Sequence, residues 1–190
     1  MIRGLMIVAA AGLALAACSR TNEAPAPTLS IGPKGAMGVT RALPFDAAAL
    51  GPAFAGLDLA GGQAEAEGQR YAIFAVRSGD EIVYTVAAGS DGARVGSVAT
   101  RSPLVVGPNR ETVGQADFAA APRAQTAFCS DEFFDGQPAF ACSTAADGVF
   151  WRVYLKIISD GAPEAGELAE MSAEAKAQSP LVEMRWIAAR

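Results

Sequence analysis

The chain has 190 residues, with 15 Lys+Arg against 20 Asp+Glu and a formal net charge of −5, a length that suits one domain with a substantial core. It contains no histidine, which removes His-based acid/base chemistry, Ser-His-Asp and Cys-His nucleophiles, and histidine-dependent metal sites. The acidic excess is scattered and no basic run occurs, so binding to nucleic acid and electrostatic binding to lipid are not expected.

The N-terminus places a single Arg3 before an apolar run that starts at Leu5 and ends in Leu15-Ala16-Ala17-Cys18. The run is too short to cross a hydrocarbon core of about 30 Å, which takes roughly 20 helical residues. Its order of charge, apolar stretch and small residues reads as an export signal. Small residues directly before a cysteine form the bacterial lipoprotein cleavage box. Residues 1–17 are therefore expected to leave as a signal peptide, with Cys18 as the lipid-bearing new N-terminus. The rival is an ordinary signal peptide whose cysteine is incidental. About three acyl chains, at roughly 0.8 kcal/mol per buried methylene, would make the membrane anchor permanent. Ser19 rather than Asp after the cysteine favours the periplasmic face of the outer membrane. Residues 18–28 carry Pro25 and Pro27 without hydrophobic period and read as a tether reaching on the order of 30 Å.

Residues 29–190 read as a single periplasmic domain. Leu29-Ser30-Ile31 runs into the turn signal Gly32-Pro33. Pro44 to Leu50 looks like a short helix capped by Asp46, interrupted by Gly51-Pro52, with Phe54 and Leu57 extending its apolar side. From Leu57 to Thr100 the pattern predicts an antiparallel meander with turns at Ser78-Gly79-Asp80 and Ser90-Asp91-Gly92. Tyr71 to Val76 is apolar at both parities, which predicts a central strand covered on both faces.

The opening theme then recurs: Val106-Gly107-Pro108 echoes Ile31-Gly32-Pro33, and Asp117 to Ala121 echoes Phe45 to Ala49. Internal duplication and coincidence in an alanine-rich chain are both open readings. Asp135-Gly136 signals a hairpin flanked by Cys129 and Cys142. In an oxidising compartment these two are expected to form a structural disulfide, closing a loop of about 14 residues worth roughly 3 kcal/mol. Val149 to Ile158 alternates, with Trp151, Val153 and Leu155 on one face and Phe150, Arg152, Tyr154 and Lys156 on the other. Leu168 to Gln178 carries helix formers, and Leu181 to Ile187 is a final strand after Pro180.

Several of these segments together resemble a known family. They are Gly32-Pro33 with the Phe45 helix, Tyr71-Ala72-Ile73 with Ile82-Val83-Tyr84, Val106-Gly107-Pro108, the Cys129…Cys142 pair and the closing Arg185-Trp186 strand. The set spans most of the mature chain and resembles the sigma-E-regulated envelope lipoproteins. That resemblance implies an α+β lipoprotein of the outer membrane's inner leaflet, and it supplies no catalytic residues. The Ala162 to Pro180 segment looks longer and more acidic than the family pattern, which leaves the register of the last strand open.

The fold expected is α+β: an antiparallel sheet meander with short helices packed on one side and one disulfide. No catalytic residue, metal site or cofactor is assigned. Asp131, Glu132 and Asp135 lack the spacing of a calcium loop. Glu65 and Glu67 share a strand face but read as a charged edge. The surface singled out for recognition is Phe150, Arg152, Tyr154 and Lys156, because aromatic and cationic side chains alternate there. The plainer alternative is that Phe150 and Tyr154 are covered, by the Phe133-Phe134 loop or a helix, with the bases reaching out to water. The function expected is a non-catalytic, lipid-anchored protein that binds or scaffolds another envelope component. The rivals are a periplasmic inhibitor of a lytic enzyme such as lysozyme, and a carboxylate-dependent cell-wall hydrolase.

Overall fold

The computed structural model describes residues 28–66, 68–146, 148–157 and 167–188; the leader, Cys18 and Glu67 lie outside them. Two short strands, β1 (Ile31–Gly32) and β2 (Gly35–Ala36), pair antiparallel and are followed by α1 (Ala47–Leu50). Asp46 is extended and its side chain accepts from the Ala49 amide at 2.8 Å, the N-cap that the sequence predicts. A first meander follows: β3 (Asp58–Ala66), β4 (Gln69–Ser78), β5 (Glu81–Ala88) and β6 (Val95–Thr100). The second contains β7 (Phe128–Phe134), β8 (Gln137–Ser143) and β9 (Phe150–Leu155), then α2 (Ala173–Gln178) and β10 (Leu181–Ile187). These strands form one antiparallel sheet of eight among the described residues, in the order β3-β4-β5-β6-β10-β9-β8-β7.

The described fold is mostly β, which corrects the α+β expectation. The two α-helices have four and six residues, and the remaining helical turns are 3-10 segments at Phe118–Ala120, Arg123–Gln125 and Leu168–Glu170. Helices this short are not stable alone. Pro52 follows the first alanine-rich run and Pro122 the second, and proline cannot continue a helix. What fixes these turns is the docking of Leu50 and Phe118 against the sheet. A second correction concerns β4. Val76 is buried but Tyr71 is 41% exposed. The pairing explains it: β5 covers β4 only from Ile73 to Ser78, so Gln69 to Ala72 pair with β3 alone.

The two meanders repeat one another in their hydrogen bonds. Leu43 accepts from the Val95 amide at the head of β6, and Ala116 accepts from the Leu181 amide at the head of β10. Phe45 donates to Ala93, and Phe118 donates to Ser179. Both β5–β6 and β9–β10 slip register at the same place, at Gly96 in one half and Val182 in the other. Gly35 and Arg110, each at the turn after a Gly-Pro, both have positive φ, 112° and 67°. Stepping along the two ladders from the bulges matches Val86 with Arg152, Ala88 with Tyr154 and Ala99 with Arg185. Ala99 and Arg185 also face each other across the β6–β10 junction, so the junction pairs one position with its own counterpart.

One face of the sheet carries the main core. Phe74, Val86, Val98, Trp186 and Phe150 lie in a cross-strand row, covered by Leu50, Phe54 and Phe118 from the helical segments. Tyr84 donates to the Ser30 carbonyl at 3.0 Å, tying the N-terminal segment down onto this face. The opposite face is curled. Arg185 on β10 meets Glu132 on β7 at 3.3 Å although two strands lie between them, a span of about 14 Å in a flat sheet. Ala139 and Ala141 on β8 leave room for the fold-over, and with Val153 they make a second small core beneath Trp151 and Leu155.

Cys129 and Cys142 face each other on β7 and β8 and are disulfide-bonded, with Cα atoms 4.1 Å apart. Asp135 and Gly136 form the tight turn between those strands, both with positive φ. Replacing both cysteines by alanine is expected to lower the unfolding free energy by about 3 kcal/mol, the loop-closure contribution of a bridge of this span. Urea denaturation of the double variant against the oxidised parent checks this.

Candidate functional site

The turn that follows Gly107-Pro108 lines a polar pocket on the described surface. Arg110 donates to Gly107 and Gly107 donates to Glu111, closing the turn and swinging the Glu111 carboxylate over the sheet. A side chain at position 107 would force Glu111 or Met184 to move: a Cβ there would sit 2.5 Å from Glu111 Cδ and 2.7 Å from Met184 Sδ. The glycine of the recurring motif thus lets the Glu111 carboxylate pack against the turn in the second half. At Gly32 the nearest atom to such a Cβ is 3.9 Å away, so the first half sets no such demand.

Glu111 Oε1 accepts from both Nε and Nη2 of Arg152, at 2.9 and 2.6 Å. Its other oxygen accepts from the Asn109 amide at 2.6 Å. The pair is interior: the Arg152 side chain is 2% exposed and that of Glu111 11%. The guanidinium also lies 4.7 Å from the Phe150 ring centroid, a cation–π arrangement. Beside it Tyr154, 1% exposed, packs edge-on against Phe118 and is stacked on Phe140. Arg152 and Tyr154 form the floor of a pocket of about 270 Å3, and its rim is made by Asn109, Arg110, Gln115 and Asp117. Asn109 and Gln125 exchange two amide hydrogen bonds, 2.6 and 3.1 Å, and hold one side of that rim.

The face carrying Phe150, Arg152, Tyr154 and Lys156 is therefore not an open surface. The cover comes from the Phe118 turn rather than from the Phe133-Phe134 loop, and Phe133 points outward. Nor do the bases reach for water: Lys156, with 6% of its side chain exposed, pairs with Asp131 at 2.5 Å. Of the four, Arg152 and Tyr154 reach the pocket. Sequence reasoning missed Glu111, Asp117 and the 109–117 turn as partners of β9. The one available signal was the recurring Gly-Pro, read as turn chemistry.

Four of the acidic groups considered for chemistry, all among the described residues, have cationic partners. Glu132 pairs with Arg185, Asp135 with Arg101 at 2.9 Å, and Asp131 with Lys156; the Asp131 carboxylate also accepts from the Leu168 amide. Glu65 lies 3.4 Å from Arg70. Among the described residues no group of three or more His, Cys, Asp or Glu is placed to hold a metal ion. On the curled face of the first half, Tyr71, Ile73, Thr85, Ala87 and Ala99 line a groove of about 720 Å3.

Burial raises the phenol of Tyr84 well above its ordinary value, against a smaller opposing effect of its bond to Ser30. Burial does the same for Tyr154, where Arg152 pulls down while Glu111 and Asp117 push up. The fold thus favours the neutral phenols. Their contribution is intact below the unfolded value of about 10 and is lost as pH rises toward the raised folded values. Alkaline titration is expected to show two phenolates forming only together with unfolding, and Tyr154→Phe should remove one of them. The buried ion pair makes a second prediction. Glu111→Ala leaves a buried guanidinium without its partner and should cost about 3–5 kcal/mol, whereas Glu111→Ala with Arg152→Val should be near neutral or stabilising. Denaturant unfolding of the single and double variants checks the reversal.

No family model and no curated protein sequence matches the chain. Among solved structures it is similar to the uncharacterized protein YfeY from Escherichia coli, over 83% of this chain and 99% of that one, with a TM-score of 0.60 and 14% sequence identity. At that identity the likeness is one of fold.

Proposed function

We propose that the chain is a non-catalytic, lipid-anchored envelope protein that binds another envelope component from the periplasmic face of the outer membrane, in the manner of the sigma-E-regulated lipoproteins its sequence resembles. The anchor rests on Leu15-Ala16-Ala17-Cys18, with residues 18–28 as tether and 29–190 as the bound domain. The observation that carries the binding reading is the pocket over Arg152 and Tyr154. It offers hydrogen-bond donors at its floor, while the carboxylate beside them already accepts from Arg152 and Asn109. Glu111 accepts twice at Oε1 and once at Oε2, so its carboxylate is held by Arg152 and the Asn109 amide. The matched bulges and matched turn hydrogen bonds of the two meanders support descent from one duplicated unit.

Mass spectrometry of the protein from its native envelope is expected to find residues 1–17 removed and an acylated Cys18. Cys18→Ser should move the protein from the membrane fraction to the soluble one. An intact Met1, or a bare thiol at position 18, would contradict the anchor.

A further inference from the structure

The two halves of the sheet provide an internal comparison that bears on the pocket. Val86 in the first half and Arg152 in the second occupy matching core-facing positions, as do Ala88 and Tyr154. Ala36 and Glu111 follow the matching positive-φ turn residues Gly35 and Arg110. The first half folds with Ala36, Val86 and Ala88, of which Ala36 and Val86 are buried. The same backbone therefore does not need an ion pair at this place. A buried pair is generally no more stabilising than well-packed apolar residues, and often less. Its presence in one half only calls for a role other than holding the fold.

The bonding leaves such a role available. Glu111 engages Nε and Nη2 of Arg152, while Nη1 makes no hydrogen bond among the described residues. The Tyr154 hydroxyl likewise has no hydrogen-bond partner among them. Since no buried side-chain nitrogen or oxygen is left unsatisfied, both donors open onto the pocket that these residues line. Two donors without a protein acceptor at the floor of a pocket can take an oxygen acceptor from a ligand. The charges around it are balanced, Arg110 and Arg152 against Glu111 and Asp117. A dianion would thus meet two carboxylates as well as two guanidinium groups. Asp117 uses one oxygen to cap Ala120 at 3.0 Å, leaving the other for a donor at the mouth. Ala116, Ala120, Ala121 and Pro122 complete an apolar wall. At about 270 Å3 the pocket falls below the usual range for drug-sized ligands.

We propose that this pocket binds a small zwitterion of the amino-acid type, alanine or a short alanyl peptide, with its carboxylate on Arg152 Nη1 and the Tyr154 hydroxyl and its ammonium toward Asp117. The site is independent of the lipid anchor, so its failure and the failure of the anchor are separately visible.

Isothermal titration of the purified full-length chain tests it, with alanine, alanyl-alanine, alanine methyl ester, N-acetylalanine and inorganic phosphate as probes. Saturable binding of alanine or alanyl-alanine is expected, and the stronger of the two identifies a free amino acid or a peptide as the source. Blocking either charged end should weaken binding about tenfold or more, as should Tyr154→Phe, which removes one hydrogen bond to a charged group. Ala120→Phe, at an exposed rim position, fills the pocket and should abolish binding without touching the core; it carries the test if Tyr154→Phe fails to fold. The proposal is overturned if neither zwitterion binds saturably, if the ester binds as tightly as the acid, if phosphate binds more tightly than both, or if Ala120→Phe binds like the parent.

Discussion

The pairing of β6 with β10 is the contact on which the rest of the molecule depends. Each meander alone is four strands with an incomplete main apolar face, and the two faces are completed by one core that runs across the junction. Val98 on β6 lies opposite Trp186 on β10, and Trp186 lies opposite Phe150 on β9; all three are buried. The strands are far apart in the chain, so their ordering costs loop-closure entropy that only this core can offset. The junction also sets the curl of the second half. Arg185, opposite Ala99, reaches Glu132 on the far edge, and Arg101 at the end of β6 holds both Glu183 and Asp135 at the hairpin tip. These partly exposed pairs add little stability singly. Their consequence is geometric, since they pin the hairpin of β7 and β8 over the centre of the sheet.

One backbone plan thus carries two interiors. In the first half the position facing the core is Val86, in the second Arg152, and the turn above changes from Ala36 to Glu111 in step. The glycine of the second Gly-Pro turn, the carboxylate that packs on it and the guanidinium below form one unit, because a side chain at 107 would displace the carboxylate. Tyr154 next to them replaces Ala88. The pocket exists where the second half exchanges apolar groups for hydrogen-bonding ones.

Much of the fold was legible locally. The alternation of Phe150 to Leu155, the Asp46 cap, the Asp135-Gly136 turn and the facing cysteines are consequences of neighbouring residues, and the structure contains each of them. The echo of Gly-Pro and Phe-containing segments pointed at the matched turns. What local pattern does not encode is which distant strands meet. Tyr71 to Val76 reads as a buried strand by composition, yet its first two residues, Tyr71 and Ala72, extend past β5. The alanine-rich runs read as helices, but they offer too little apolar surface to hold more than a turn or two. Arg152 read as a surface base because its partner, Glu111, lies in a turn forty-one positions earlier, a proximity that only the folded chain creates.

Native-state hydrogen exchange of the β6 and β10 amides measures the central dependence most directly. If their pairing joins the two meanders into one cooperative unit, these amides exchange only through global unfolding, with the same free energy and the same denaturant dependence in both strands. Exchange of β7 to β10 through a separate, lower-energy opening that leaves β3 to β6 protected would contradict the account.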